Sequence, residues 1–461
     1  MEVTAKTWEE GQGRARRPRR GGRSRVGATA NSLILHLHPP RVPAGALRLG
    51  YTWGLGGLSA ALALCLGLSG ILLMFRYEPT IDRAYSSIQM LEAQVAFGSL
   101  IRGIHHWSAN LLVVTVFLHL IRVFLTGGFK AGRALNWLVG TLLLVLVLVF
   151  NFTGYLLPWD QLAYWAVTVS TSLIAYVPLV GESLSRLVLA GPDVGQGALS
   201  NFYALHVAVL PALAAAAMGY HFWRVRKDGG ISRPVAENAP AERPVSTIPH
   251  LVQRETAAAT ILLAVVVLWA MLLPAPLGDI ANPAHPPNPA KAAWYFAGLQ
   301  EILLHMHPLA AIALVLVVVA GAAVLPFADR QAGDIGLYFR SHRGRRAAIL
   351  GAVLALDLVP VLVIVDEFWL DLTAWLPTAP LLVSTGLVPF LATVAGLAAV
   401  YGLGRLLFRA RHGEALVGLF AFVVVALVVL TIVGFFFRGA NMALARPSKL
   451  CRRNHELSMQ H

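Results

Sequence analysis

Nine stretches of this chain are long, apolar and nearly free of charge, at roughly 51–75, 105–125, 135–157, 200–224, 256–274, 308–327, 346–365, 381–403 and 415–437. A helix rises about 1.5 Å per residue, so some twenty residues cross a hydrocarbon layer about 30 Å thick. In that layer every backbone N–H and C=O must be bonded within the protein, which leaves helices or a closed barrel. Continuous apolar runs of this length select helices. The expectation is an all-α polytopic membrane protein, and a chain of 461 residues that is 57% hydrophobic and 13% charged agrees with it.

The net charge of +14 is unevenly spread. With the N-terminus in the cytoplasm, the inner segments hold Arg14–Arg25, Lys130, Arg133, Arg224–Lys227, Arg340–Arg346 and Arg405–Arg411. The outer segments hold Glu78, Asp82, Glu92, Asp160, Glu182, Asp193, Asp279 and Asp366–Glu367. The positive-inside rule therefore predicts a cytoplasmic N-terminus and an external C-terminus. Anionic membrane lipid, and not nucleic acid, is the expected partner of the basic arm. Residues 1–50 lack the apolar run of a secretory signal. The sequence divides into a basic arm (1–50), a four-helix unit (51–230), a proline-containing cytoplasmic linker (231–255), a C-terminal transmembrane unit (256–437) and an external tail (438–461). Residues 158–199 read as amphipathic helices on the outer surface.

Four histidines lie on two of the apolar segments. His105 and His119 are 14 residues apart, and His206 and His221 are 15 apart. Fourteen helical residues return to nearly the same face about 21 Å further on, whereas fifteen miss by about 60°. Two facing helices so equipped offer two histidine pairs at two membrane depths. Two imidazoles on opposite sides of one iron make a bis-histidine haem site. Glycines follow the same beat: Gly56 and Gly70 on the first segment, Gly140 and Gly154 on the third. Lacking side chains, they let a flat, bulky group approach the backbone. The pattern predicts a four-helix di-haem bundle with about five further helices. Arg102 and Arg122, each three residues from a histidine, are candidates to pair with haem propionates. The two cysteines, Cys65 and Cys451, form no CxxC, which removes the attachment motif for covalent c-type haem and any iron–sulfur site.

With these residues placed, three stretches carry a resemblance: IRGIHHWSANLLVVTVFLHLIRVFLTGGFK (101–130), NFTGYLLPWDQLAYWAV (151–167), and NFYALH (201–206) followed by HFWRVRKDGGIS (221–232). The chain resembles cytochrome b of the quinol-oxidising bc-type complexes, its first half most closely the cytochrome b6 form. Residues 256–327 resemble the separate subunit IV of b6f complexes, here fused to the first half. The resemblance implies that His105 and His206 hold an outer b-type haem and His119 and His221 an inner one. It implies quinol oxidation at an outer pocket lined by Gly154, Tyr155, Pro158, Trp159, Trp294 and Tyr295, and quinone reduction at an inner pocket near His221, Arg226 and Asp228. The implied partners are a Rieske-type iron–sulfur protein and a c-type cytochrome or equivalent acceptor, in a homodimeric complex of the bacterial cytoplasmic membrane. PNPAKAAWYFAGLQE resembles a bacterial variant that often goes with menaquinol.

Three positions depart from the family pattern. The outer-site PEWY motif reads Ala292-Ala293-Trp294-Tyr295, so its proton-accepting glutamate is absent. Glu301, seven residues beyond Trp294 and on about the same helical face, is the expected substitute, ahead of His305 and His307. Gly54 stands where the b6 form carries the cysteine for an extra covalent haem, and Cys65 is off register, so no third haem is expected. Asn201 replaces the arginine usual near the fourth helix's first histidine. Asp357 lies mid-span, as a hydrogen bond to a neighbouring helix or as a proton relay. Two other functions remain compatible with apolar helices and histidines: a di-haem anchor linking quinone to a peripheral dehydrogenase, and a haem-free transporter.

Overall fold

The computed structural model describes residues 35–130, 132–233, 242–329 and 341–444. The arm Arg14–Arg25, Arg340, Cys451 and the tail beyond 444 lie outside the described residues. Among the described residues, nine helices are long and apolar enough to cross a membrane: α1 (Leu55–Met74), α2 (Gly98–Leu125), α3 (Ala134–Leu156), α4 (Gln196–Lys227), α5 (Thr247–Leu272), α7 (Pro308–Ala328), α8 (His342–Phe368), α9 (Leu382–Phe408) and α10 (His412–Phe437). A shorter helix, α6 (Trp294–His305), precedes α7. All nine expected spans are present. The fifth begins nine residues early, at Thr247, so the end of the expected linker is helical.

That linker also meets the arm. Arg41–Pro43 (β1) pairs antiparallel with Pro244–Ser246 (β2), Val42 opposite Val245. Val42, Leu47 and Leu251 then share a small buried cluster at the N-terminal end of α5.

In the first half, α1 packs on α2 and α3 on α4. Between α3 and α4, Gln161–Ile174 and Gly181–Leu189 are helical, in the segment expected to form amphipathic helices. Leu156, Trp159, Val167, Leu199 and Phe202 bury one another there, a lid of packed apolar side chains over one end of the bundle. In the second half α8 and α10 touch backbone to backbone: a Cβ on Gly351 would fall 2.1 Å from the Gly418 carbonyl oxygen. Small residues let helices approach this closely where lipid offers no hydrophobic drive. The halves are joined by the Trp137 indole N–H donating to Ala322 O at 2.7 Å and by a buried Lys130–Asp329 ion pair at 2.7 Å.

Candidate functional site

Helices α1 to α4, with residues of the arm, α5 and α6, line an open cavity of about 2970 Å³, roughly three times the upper end for a single drug-sized ligand site. All four histidines line it. The His105 and His206 ring centroids lie 6.3 Å apart. Two metal–nitrogen bonds of about 2 Å, plus about 1 Å from each nitrogen to its ring centre, give the same span. Among the described residues no group of three or more His, Cys, Asp or Glu side chains is arranged to hold a metal ion by itself. Paired histidines without further donors suit a group that brings its own equatorial ligands, as a porphyrin does.

Each beat glycine faces one histidine ring. An added Cβ would lie 3.3 Å from His105 at Gly70, 3.2 Å from His119 at Gly56, 2.6 Å from His206 at Gly154 and 3.6 Å from His221 at Gly140. The unequal histidine spacings are reconciled within α4. Leu205–Val209 is π-helical, and one widened turn absorbs one extra residue. The 15-residue spacing therefore keeps the phase of 14. Pro211, which has no N–H to donate back, sits just beyond the bulge.

Two hydroxyls that the sequence reading missed contact the outer pair. Ser69 Oγ is 2.9 Å from His105 Nδ1, and Thr153 Oγ1 is 3.2 Å from His206 Nδ1. Both hydroxyls also reach helix carbonyls four residues back, Cys65 O at 2.8 Å and Val149 O at 3.0 Å. With their protons committed there, they can accept from Nδ1–H and leave each Nε2 free to ligate. The signal was present, since each hydroxyl immediately precedes a beat glycine.

The arginines divide. Arg122 is buried over the Tyr51 ring, 4.6 Å from its centroid, with Nε donating to Tyr51 O and one terminal nitrogen without a partner. That orphaned donor fits a propionate. Arg102 also lines the cavity, but its guanidinium is taken by the Glu92 carboxylate, by Ala275 O at 2.8 Å and by Pro276 O at 2.5 Å. These bonds tie α2 to the segment after α5. Asn201 turns away and donates to Leu187 O and Val188 O.

At the end expected to face outward, Tyr155, Pro158, Trp294 and Tyr295 line the cavity together. The Trp294 indole N–H donates to Asn110 Oδ1 at 2.6 Å. Burial, reinforced by Tyr155, pushes the Tyr295 phenol above its ordinary value. Pro158 is positioned by a short bridge: Gln161 N–H donates to Asp279 O at 2.8 Å and Ala281 N–H to Trp159 O at 3.1 Å. The bridge holds Trp159 at φ +54°, unusual for a bulky residue, and turns its ring into the outer cluster. Trp159 thus supports the pocket without lining it.

Glu301 is also off the cavity. It is fully buried among polar partners, accepting from Arg438 at 2.5 Å and lying 3.2 Å from His305 Nε2. Arg438 further bonds Glu367 at 2.6 Å, and His305 Nδ1 meets Asp366 at 2.6 Å. This cluster binds α6, α8 and the end of α10. Burial alone would raise the Glu301 carboxyl, but hydrogen bonds from His305 and Arg438 outweigh it and hold the group below the ordinary glutamate value. Burial opposes charge on His305 as well, yet bonds to Asp366 and Glu301 push it up to about 9. Seven residues do keep Glu301 in helical phase with Trp294; Arg438, from the far end of the sequence, claims it. His307 caps α7, accepting from Leu309 N–H.

The carboxylates that line the cavity are Asp160 at its outer end and Glu255 at its inner end. Asp160 accepts from Ala163 N–H at 2.9 Å and Gly278 N–H at 3.1 Å. Arg226 and Asp228 do not line the cavity; Asp228 pairs with Arg224 at 3.0 Å, and Arg133 reaches the Asp228 and Gly230 carbonyls. Fourteen of the eighteen expected site residues therefore share one cavity, and Trp159, Glu301, Arg226 and Asp228 stand behind it.

A family model described as Cytochrome b/b6/petB matches residues 44–229. Cytochrome b6 of Porphyra purpurea is 47% identical over 181 residues, covering 39% of this chain and 84% of the relative. Cytochrome b6 of Synechococcus elongatus is 45% identical over 181 residues, with the same coverage of each. A solved structure titled "Hyperthermophilic respiratory Complex III" shares the fold with a TM-score of 0.62 at 23% identity, covering 88% of this chain and 97% of that one.

Proposed function

The chain belongs to the cytochrome b/b6 family, and on that premise we propose that it is the membrane subunit of a bacterial respiratory quinol oxidoreductase that delivers electrons to a c-type cytochrome or similar acceptor and translocates protons. It is an integral multi-pass protein and an electron-transfer subunit of a redox complex, carrying b-type haem on histidines. The observation that carries the finer reading is the single cavity with two glycine-backed histidine pairs and an aromatic pocket at its outer end.

His105 and His206 would hold the outer haem, and His119 and His221 the inner one. When bound, the haems supply one-electron carriage between two quinone pockets on opposite sides of the membrane. The free donor of Arg122 would hold a haem propionate. Tyr155, Pro158, Trp294 and Tyr295 grip quinol, with menaquinol as the expected form. Asp160, not Glu301, is the carboxylate within reach of that pocket and takes the first proton. Arg133 and Glu255 line the inner end, where quinone takes up protons from the cytoplasm. A Rieske-type iron–sulfur partner accepts the other electron. The complex is a homodimer in the bacterial cytoplasmic membrane with the N-terminus inside, and the inner-segment arginines support that orientation.

The test is quinol-driven cytochrome c reduction by the purified complex. Asp160→Asn keeps the helix cap, since asparagine caps as well as aspartate. It is expected to slow turnover about a hundredfold, the usual scale for losing a general base, while Glu301→Gln leaves turnover close to wild type in the folded fraction. The reverse ranking would return the role to Glu301, and no quinol oxidation at all would remove the reading.

A further inference from the structure

Asp357 is a carboxylate in the middle of the bilayer that the described residues leave exposed. It lies eleven residues beyond Arg346 and nine before Asp366, the charged residues flanking the apolar part of α8. At about 1.5 Å per residue it sits roughly 16 Å from one and 14 Å from the other, close to the centre of a core about 30 Å thick. Its side chain is exposed on the outer surface of the helix. The face around it is apolar and open: Val353 and Val361, one turn away on either side, are 46% and 54% exposed. The helices that pack on α8 are α10 and α9. Among the described residues neither gives Asp357 a hydrogen bond or an ion-pair partner.

A second acceptor lies beside it. Pro360, inside α8, has no N–H to return to the carbonyl of Leu356, four residues earlier. Leu356 is 56% exposed on the same open side. A carboxylate on the open face and, beside it, a backbone carbonyl without its usual helical donor therefore lie at mid-depth, and among the described residues no donor reaches the carboxylate. Intramembrane carboxylates are costly and almost always face protein or water, so the missing wall has to come from another polypeptide. A two-fold contact through this face with a second copy would set Asp357 against Asp357, adding a like charge where a donor is needed.

We propose that the Asp357 face of α8 docks a transmembrane helix of a different chain that carries a lysine or arginine at mid-membrane depth. The basic group pairs with Asp357 and can reach the Leu356 carbonyl. Val353 and Val361 form the apolar shoulders of the contact. The docking face is remote from the haem cavity, so its failure leaves the proposed electron-transfer reading untouched.

The experiment places a photo-crosslinking amino acid at Val361 in the full chain, in native membranes, so that Asp357 stays intact. The expected adduct is a transmembrane peptide from another chain with Lys or Arg within one turn of the crosslink. In Asp357→Leu that adduct should fall roughly tenfold, the scale of losing one interhelical polar contact. The b-haem spectrum should be unchanged in the same membranes, which excludes misfolding. Adducts to lipid alone, adducts to α8 of a second copy, an adduct peptide without a basic residue, or equal yields with and without Asp357 would each overturn the proposal.

Discussion

Glycine does opposite work in the two halves of this molecule. On α1 and α3 the beat glycines clear space, each leaving room for a histidine ring along a large cavity. On α8 and α10, Gly351 and Gly418 remove space altogether, so that carbonyl meets backbone. One half is shaped around a guest; the other is packed on itself and locked by the Glu301–Arg438–His305 cluster. The two halves should therefore fail differently. Substitutions in the first cost cofactor, and those in the second cost stability.

The largest effect that could break this contrast is at Gly154. A Cβ there sits 2.6 Å from the His206 ring, and a branched side chain leaves no position for that imidazole. Gly154→Val should lose the outer haem, about half of the reduced-minus-oxidised b-type absorbance per folded protein. Helical circular dichroism should stay near wild type. If both haems remained, the glycine beat would be ordinary helix packing.

Gly351→Val is the matched substitution in the other half. Overpacking a backbone contact costs about 1–3 kcal/mol and more where the backbone cannot move, and here it cannot without parting α8 from α10. The thermal midpoint should drop by several degrees while haem per folded protein stays unchanged. Haem loss in step with unfolding of the second half would mean that the halves are not separable.

The ion cluster makes a smaller, pH-dependent contribution. His305 rises from an ordinary 6.5 to about 9 in the folded protein. A raised value means that its stabilisation is complete below about pH 6.5 and is lost as the pH climbs through 9. Up to about 3 kcal/mol is at stake, less whatever solvent screens. Glu301 moves the other way, so its contribution is present above about pH 4.5 and disappears with acid. Differential scanning calorimetry between pH 6.5 and 9.5 should find the second half progressively less stable. His305→Gln should flatten that slope and leave the haem spectrum as it was.

How much of this could be read from the sequence follows the range of each interaction. Helix existence, the histidine pairs and the facing glycines depend on periodicity along single helices, and 14-residue spacings carry that information unaided. The π-bulge at Leu205–Val209 was encoded by the fifteenth residue and by Pro211, but a mismatch of about 60° does not say how it is resolved. The surroundings of Arg102 and Glu301 are not legible in the sequence because their partners are remote: Ala275 and Pro276 for one, Arg438 for the other. Helical phase says which way a side chain points; it cannot say what reaches it first.

The smallest effect concerns the asymmetry inside the first half. Ser69 and Thr153 touch the outer histidines, whereas neither inner histidine has a hydroxyl partner among the described residues. Removing one such contact from a metal-bound histidine costs about tenfold in retention at the low end, because the ring is less firmly held in the tautomer that presents Nε2. Ser69→Ala leaves the ring its space and takes away only the oxygen. The outer haem should then dissociate roughly tenfold more readily under detergent dilution, with the inner haem as internal reference. Its potential should rise, since a less basic imidazole stabilises ferric iron less. Equal loss of both haems would trace to general loosening of α1, and no loss from either would make the hydroxyl a helix-packing feature. Selective loss of the outer one would establish that the guest-shaped half is itself graded, held more firmly in orientation at the outer end than at the inner.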